Sequence, residues 1–157
     1  MKKHTKYPLG KKRIYSPHFE NRQDVVLWDV INIKNEQILT VKFISTDSEN
    51  IQGVRLAVDY GNGEIEINGI KSPGFELWED TVPCDEYIRA VVNSEFGRVS
   101  VYNIWRNNAL NNGFSQSQKY CSGMVIERIS ENKFLYHCND VGIETNFNEL
   151  VFEITLS

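Results

Sequence analysis

From residue 24 onward, apolar and polar positions alternate with a period of two, in runs rich in β-branched and aromatic side chains. That period places successive side chains on opposite faces of an extended chain, so each run predicts a strand. The runs are VVLWDVINI (25–33), QILTVKFIST (37–46), VRLAVDY (54–60), EIEINGI (64–70), FELW (75–78), YIRAVVN (87–93), RVSVYNIW (98–105), GMVIERI (123–129), KFLYHC (133–138) and LVFEITL (150–156). Polar turn residues separate them at 34–36, 95–97 and 130–132. Gly61-Asn62-Gly63 supplies the positive φ values of a tight hairpin, which predicts that 54–60 and 64–70 pair with each other. In the last run Leu150, Phe152, Ile154 and Leu156 share one face and Val151, Glu153 and Thr155 the other, the pattern of a half-buried strand.

About ten short strands with turns roughly every 8–12 residues, and no amphipathic helix, predict an all-β fold, an antiparallel β-sandwich or jelly roll. Residues 84–92 also admit a helix, with Pro83 at its start and Asp85 and Glu86 in a first turn. The strand is the reading kept here.

The chain has 157 residues, 41% apolar and 24% charged, enough for one domain with a sizeable core. Charge divides it unevenly. Residues 1–13 hold six of the seventeen Lys and Arg and no acid, which leaves eleven cations against 21 acids in the rest, a formal charge of −10. Residues 1–20 are therefore expected to be a basic disordered arm, and 21–157 a single β-sandwich domain. The acidic body argues against a nucleic-acid-binding face. No apolar run follows the first lysines, and no stretch is long and apolar enough for a membrane span. Cys84, Cys121 and Cys138 form no CxxC pair. Small buried thiols in a cytoplasmic protein fit best.

Three segments carry candidate chemistry. The turn before the last strand crowds oxygen ligands: Asn139, Asp140, Glu144, Asn146, Asn148 and Glu149. Hard cations need six to eight oxygens, so calcium is the cofactor such a turn suits, with Asp140, Glu144, Asn146, Asn148 and Glu149 as ligands. Amides are weaker calcium ligands than carboxylates, and the EF-hand spacing is missing. The other reading is a turn whose Asn and Asp side chains satisfy its own backbone while Phe147 anchors it in the core. Residues 144–152, ETNFNELVF, resemble the acidic D-x-D-F-N-D-L-V-F ending of bacterial β-sandwich domains of unknown function and of calcium-dependent carbohydrate-binding modules. That resemblance implies a β-sandwich, a bound calcium ion and a sugar ligand.

The second segment is the loop 106–120, longer than most connections and rich in amides and hydroxyls. Trp105, Asn107, Asn108, Asn111, Asn112 and Tyr120 are its candidate ligand-binding residues. Sugars present C–H faces that pack on aromatic rings and hydroxyls that need planar polar partners. The third segment is 72–87, where Glu76, Glu79, Asp80, Asp85 and Glu86 surround Trp78. A facing pair of carboxylates would serve glycoside hydrolysis. Neighbours such as Glu79 and Asp80 point apart on a strand, so a solvated acidic edge is the plainer account. His137 and Cys138 face apart for the same reason, and no nucleophile or nucleotide motif is present.

The expected function is a non-catalytic binding module for a carbohydrate or protein ligand. The alternatives are an intracellular protein-interaction or immunity-type protein with an acidic docking surface, and, last, a glycoside hydrolase-like enzyme.

Overall fold

The computed structural model describes residues 12–17, 19, 22–59, 61–82, 86–107, 115–117, 122–140 and 145–157. Twelve strands form among them: β1 (Ile14–Tyr15), β2 (Val25–Asn32), β3 (Gln37–Thr46), β4 (Ile51–Ala57), β5 (Gly63–Ile67), β6 (Ile70–Ser72), β7 (Gly74–Trp78), β8 (Tyr87–Ser94), β9 (Arg98–Arg106), β10 (Gly123–Arg128), β11 (Lys133–Asn139) and β12 (Leu150–Leu156). The described residues contain no helix, hence none long and apolar enough to cross a membrane.

The strands run antiparallel in one continuous order, β6-β5-β8-β3-β12-β11-β10-β2-β9-β4-β7, with β1 added against β2. The path bends at β2, where Val25 and Val26 pair with β10 but Asp29 to Asn32 pair with β9. Its two ends approach each other. Val58 N–H donates to the Pro73 carbonyl at 2.8 Å, tying the chain beyond β4 to the corner between β6 and β7. The sheet is thus nearly closed into a barrel. The all-β antiparallel class is as expected, but the pairing does not resolve into the two separate sheets of a sandwich or jelly roll.

The inward faces fill this roll. Tyr136 on β11, Phe152 on β12 and Phe43 on β3 lie in register and are all buried, and the first two rings stack 4.6 Å apart at 4°. The register shifts between Val151 and Phe152, where Ile44 is the extra residue on β3, while Leu150, Phe152 and Ile154 of β12 keep their plain alternation inward. Burial of a phenyl ring this complete contributes about 2–3 kcal/mol. The outer face of β12 is more covered than its alternation predicts, since Val151 and Glu153 are buried too. The reason is position: β12 lies between β3 and β11, and the Lys133 ammonium folds onto Glu153 at 2.9 Å.

Asp29 is among the charged side chains that the fold buries. Asp29, 1% exposed, receives the Tyr136 hydroxyl on Oδ2 at 2.5 Å and Arg13 Nε on Oδ1 at 2.7 Å. Within the expected arm, Ile14 and Tyr15 form strand β1, and Arg13, itself exposed, supplies the ion-pair partner of buried Asp29. Burial and the Asp29 charge push the Tyr136 hydroxyl well above its ordinary range, so it stays a donor.

The hairpin predicted at Gly61-Asn62-Gly63 does not form. Gly61 does take φ +79°, but β4 pairs with β7 and β9 while β5 pairs with β6 and β8. Long-range contacts decide this. Arg98 clamps Asp59 with two hydrogen bonds of 3.1 Å, and Glu95 N–H binds the Asn62 carbonyl at 2.7 Å, holding the turn against the β8–β9 corner. The β2–β3 turn joins the same end through Ile33 N–H to Gly97 O and Ser94 N–H to Asn35 Oδ1. All three turns carry the chain between strands that are not neighbours. The tight hairpin lies a few residues on, at Asn68 and Gly69, whose φ values of 52° and 81° are those of a type I′ turn joining β5 to β6. Residues 87–92 form a strand, which settles the helix alternative over that part of 84–92. Cys138 is a free, buried thiol, as expected of a small core residue; Cys84 and Cys121 lie outside the described residues.

Two substitutions test this packing. Tyr136→Phe leaves Asp29 Oδ2 without its donor and is expected to cost about 1–3 kcal/mol in urea unfolding with an unchanged m-value. Gly53→Ala is expected to cost about 1–3 kcal/mol, because the added Cβ would lie 2.7 Å from both the Leu77 carbonyl oxygen and the Trp78 ring.

Candidate functional site

Polar side chains converge at one end of the barrel. Gln52, Val54 and Leu56 of β4 point inward, which places Gln52, 0% exposed, beside Asp140, 1% exposed, where the chain leaves β11. Asp140 Oδ2 accepts from Gln52 Nε2 at 2.8 Å, Ser48 Oγ at 3.0 Å and Asn50 Nδ2 at 3.4 Å. Glu149 Oε1 accepts from the Asp140 N–H at 3.1 Å, and Glu79 Oε2 from the Gln52 N–H at 2.8 Å. Nearby, Asn103 Nδ2 donates to the Asn139 carbonyl, and Asn139 Oδ1 accepts from Asn146 N–H.

Two buried oxygens in this cluster have no donor, Asp140 Oδ1 and Gln52 Oε1. Burial also holds Asp140 above the ordinary carboxylate range, although its three donors pull the other way. Burial does the same to Glu149 and Glu79, helped in each by the charge of Asp140. Burial favours the protonated form of Asp140, and a carboxylic acid, unlike a carboxylate, can donate as well as accept.

The expected calcium ligands are only partly brought together. Asp140 and Glu149 meet as described. Asn146 donates from Nδ2 to Asp47 Oδ2, and its Oδ1 accepts from Asn148 N–H at 2.9 Å, so these amides satisfy the turn itself. Glu144 lies outside the described residues, and among those described no group of three or more His, Cys, Asp and Glu is placed to hold a metal ion. Phe147 is half-buried against Phe19, with the Arg22 guanidinium over its ring, rather than set in the core.

Of the loop candidates, Trp105 is 2% exposed, and its backbone exchanges two hydrogen bonds with Gln116. Its ring is buried and presents no stacking face. Asn107 is exposed at the end of β9; Asn108, Asn111, Asn112 and Tyr120 lie outside the described residues. In the acidic segment, Glu76 accepts from Ser115 Oγ and lies 3.9 Å from Arg55. Asp80 pairs with Arg106, whose guanidinium covers the Trp78 ring, while Glu79 turns to Gln52. Glu86 is exposed and Asp85 lies outside the described residues. His137 meets Glu127 on the outside while Cys138 is fully buried, its thiol pushed well up by burial, so the two form no dyad.

A different surface is open. Across the outer face of β8, β3, β12 and β11 runs a row in register, Arg89–Thr40–Thr155–Lys133, the floor of a groove of about 500 Å³. Tyr87, 58% exposed, stands at its wall with the Lys42 ammonium 4.9 Å from the ring centroid. A second groove, of about 400 Å³, lies among Asn35, Asn62 and Asn93. There the Asn35 and Asn93 oxygens accept from Ser94 and Glu36 N–H groups and are already engaged. The first groove escaped the sequence reading because its residues are single outward positions on four strands, adjacent only once the strand order is known.

Because burial raises the folded-state value of Asp140, the folded chain keeps a proton that the unfolded chain releases. Its stabilising contribution is complete below the unfolded carboxylate range and is lost as pH rises through the folded value. Asp140→Asn preserves the pairing with Gln52 as amide to amide, and is expected to raise Tm at neutral pH by about 2–4 °C, the size of a 1 kcal/mol change, and to flatten its decline with pH. A lowered Tm in this variant, together with a calcium-dependent Tm in the parent, would instead assign the two oxygens to a cation. No protein-family model matches the chain, and no curated protein is similar enough to it to count as a relative.

Proposed function

We propose that the protein is a non-catalytic binding module that takes a carbohydrate chain in the groove across β8, β3, β12 and β11. The observation that carries this reading is the exposed ring of Tyr87 beside a floor of hydroxyls and cationic donors, Thr40, Thr155, Arg89 and Lys133. A sugar offers both an apolar C–H face and a rim of hydroxyls, and so matches an aromatic wall next to polar groups. The strands beneath are rigid, with Leu39, Val41, Ala90, Ile154 and Tyr136 buried on their inner side, so the groove is formed before any ligand arrives.

This reading moves the ligand surface away from the 106–120 loop and the 139–149 turn, of whose candidate residues Asn108, Asn111, Asn112, Tyr120 and Glu144 lie outside the described residues. In the first, Trp105 is enclosed, and in the second the described amides serve the turn. The acidic docking face has less support, because Asp59, Asp80, Glu76 and Asp24 are each paired with an arginine of the same chain. The hydrolase reading has less again, since Glu76 and Glu79 face different partners.

Titration calorimetry against a panel of oligosaccharides tests the reading, with Tyr87→Ala as the control. Loss of the ring is expected to weaken binding at least about tenfold, near 1.4 kcal/mol, without lowering Tm. Binding that ignores Tyr87, or no binding by any sugar, would sink it.

A further inference from the structure

Resting on the groove reading just given, we infer that the sugar it takes is acidic, bearing carboxylate or sulfate groups that are held by Arg89 at one end of the floor and Lys133 at the other. Around the groove stand three cations, Arg89, Lys42 and Lys133, and one acid, Glu153, opposite Lys42 in register. That local excess of positive charge stands out in a chain of net charge −4.

The cations are not equivalent. Lys133 is held by Glu153 at 2.9 Å, and Lys42 lies over Tyr87 with its Nζ 3.5 Å from the phenol oxygen. Arg89 is exposed and has no hydrogen bond or ion pair among the described residues. Other arginines of the chain are engaged: Arg98 by Asp59, Arg106 by Asp80, Arg13 by Asp29 and Arg22 by Asp24. An open arginine in register with Thr40, with Thr155 one strand further on, presents a planar fork of donors, the geometry that binds a carboxylate or a sulfate through two parallel hydrogen bonds.

Spacing points to a chain rather than a single ring. Arg89 and Lys133 are three strand intervals apart, about 14 Å between backbones, so one ring cannot reach both while stacked on Tyr87. An oligosaccharide laid across the strands meets Arg89 with one acidic residue and Lys133 with another, displacing Glu153 from the lysine. Lys42, beside the Tyr87 ring, adds positive potential at the stacked unit.

The test is calorimetry of the full chain with three probes of similar length, an oligogalacturonate, a sulfated oligosaccharide and a neutral xylo-oligosaccharide, each at low and high salt. The acidic probes are expected to bind more tightly than the neutral one and to weaken as salt rises. Arg89→Ala is expected to weaken the acidic probes about ten- to a hundredfold and to leave the neutral one unchanged. Arg89→Lys should restore part of the loss, because charge remains but the fork does not. A preference for carboxylate over sulfate, or the reverse, supports the inference and names the acidic group. Neutral and acidic probes binding alike, both sensitive to Tyr87→Ala and neither to Arg89→Ala, would overturn the acidic class while leaving the carbohydrate reading in place. Failure of every probe would remove both. Arg89 is exposed, so an unchanged Tm in its variants separates loss of binding from loss of fold.

Discussion

Asp29 is buried where β2 changes partners from β10 to β9, and a carboxylate in that position costs several kcal/mol unless its oxygens find donors. Both do, and the donors come from far apart in sequence: Tyr136 from β11 and Arg13 from the segment leading into β1. The bend that lets one sheet roll towards closure is therefore fastened to the strand two places along, and to the N-terminal edge. The stacking of Tyr136 on Phe152 passes the same constraint to β12 and β3, whose outer faces make the groove floor. An interior charge sets the angle of the sheet, and the sheet sets the spacing of Arg89, Thr40, Thr155 and Lys133.

The opposite demand operates at the end marked by Asp140. There the interior is polar, and donors outnumbered by acceptors leave two oxygens unmatched. Proteins rarely leave buried acceptors unpaired, because each forgoes its interaction with water without replacement. The described acids around Asp140 are engaged by Gln52 N–H, Asp140 N–H, Ser48 and Asn50, and burial of Asp140 favours its protonated form.

Much of this was legible in the sequence. Period-two alternation located ten of the twelve strands within a few residues, β1 and β6 being missed, and the run at 150–156 matches β12 at both ends, because Leu150, Phe152, Ile154 and Leu156 mark its inward face at every second residue. The 54–60 run was displaced, with β4 at Ile51–Ala57, since Gly53 interrupts the apolar pattern where Trp78 packs over it. What the pattern does not carry is pairing. A positive-φ glycine such as Gly61 specifies that the chain turns, and the Arg98–Asp59 clamp, contributed from 39 residues away, decides where it goes. The surroundings of single side chains are hidden for a related reason. Trp105 alternates like a surface residue at the end of a strand yet is enclosed, and the groove residues are scattered over four strands from residue 40 to residue 155.

Charge distribution completes the argument. Away from the groove, Asp24, Asp59, Glu64, Glu76 and Asp80 each lie against an arginine or lysine of the same chain. Such pairs contribute little stability each, about 0–1 kcal/mol, but they cancel field. On the groove face, Arg89 of β8 is the cation without a side-chain partner among the described residues, and it lies two residues along the strand from the Tyr87 ring. Fixed charge on a flat, rigid sheet loses no side-chain order beyond that of Arg89 and Lys133 themselves when a ligand binds, so recognition there depends on matching their separation, and a flexible loop is not required.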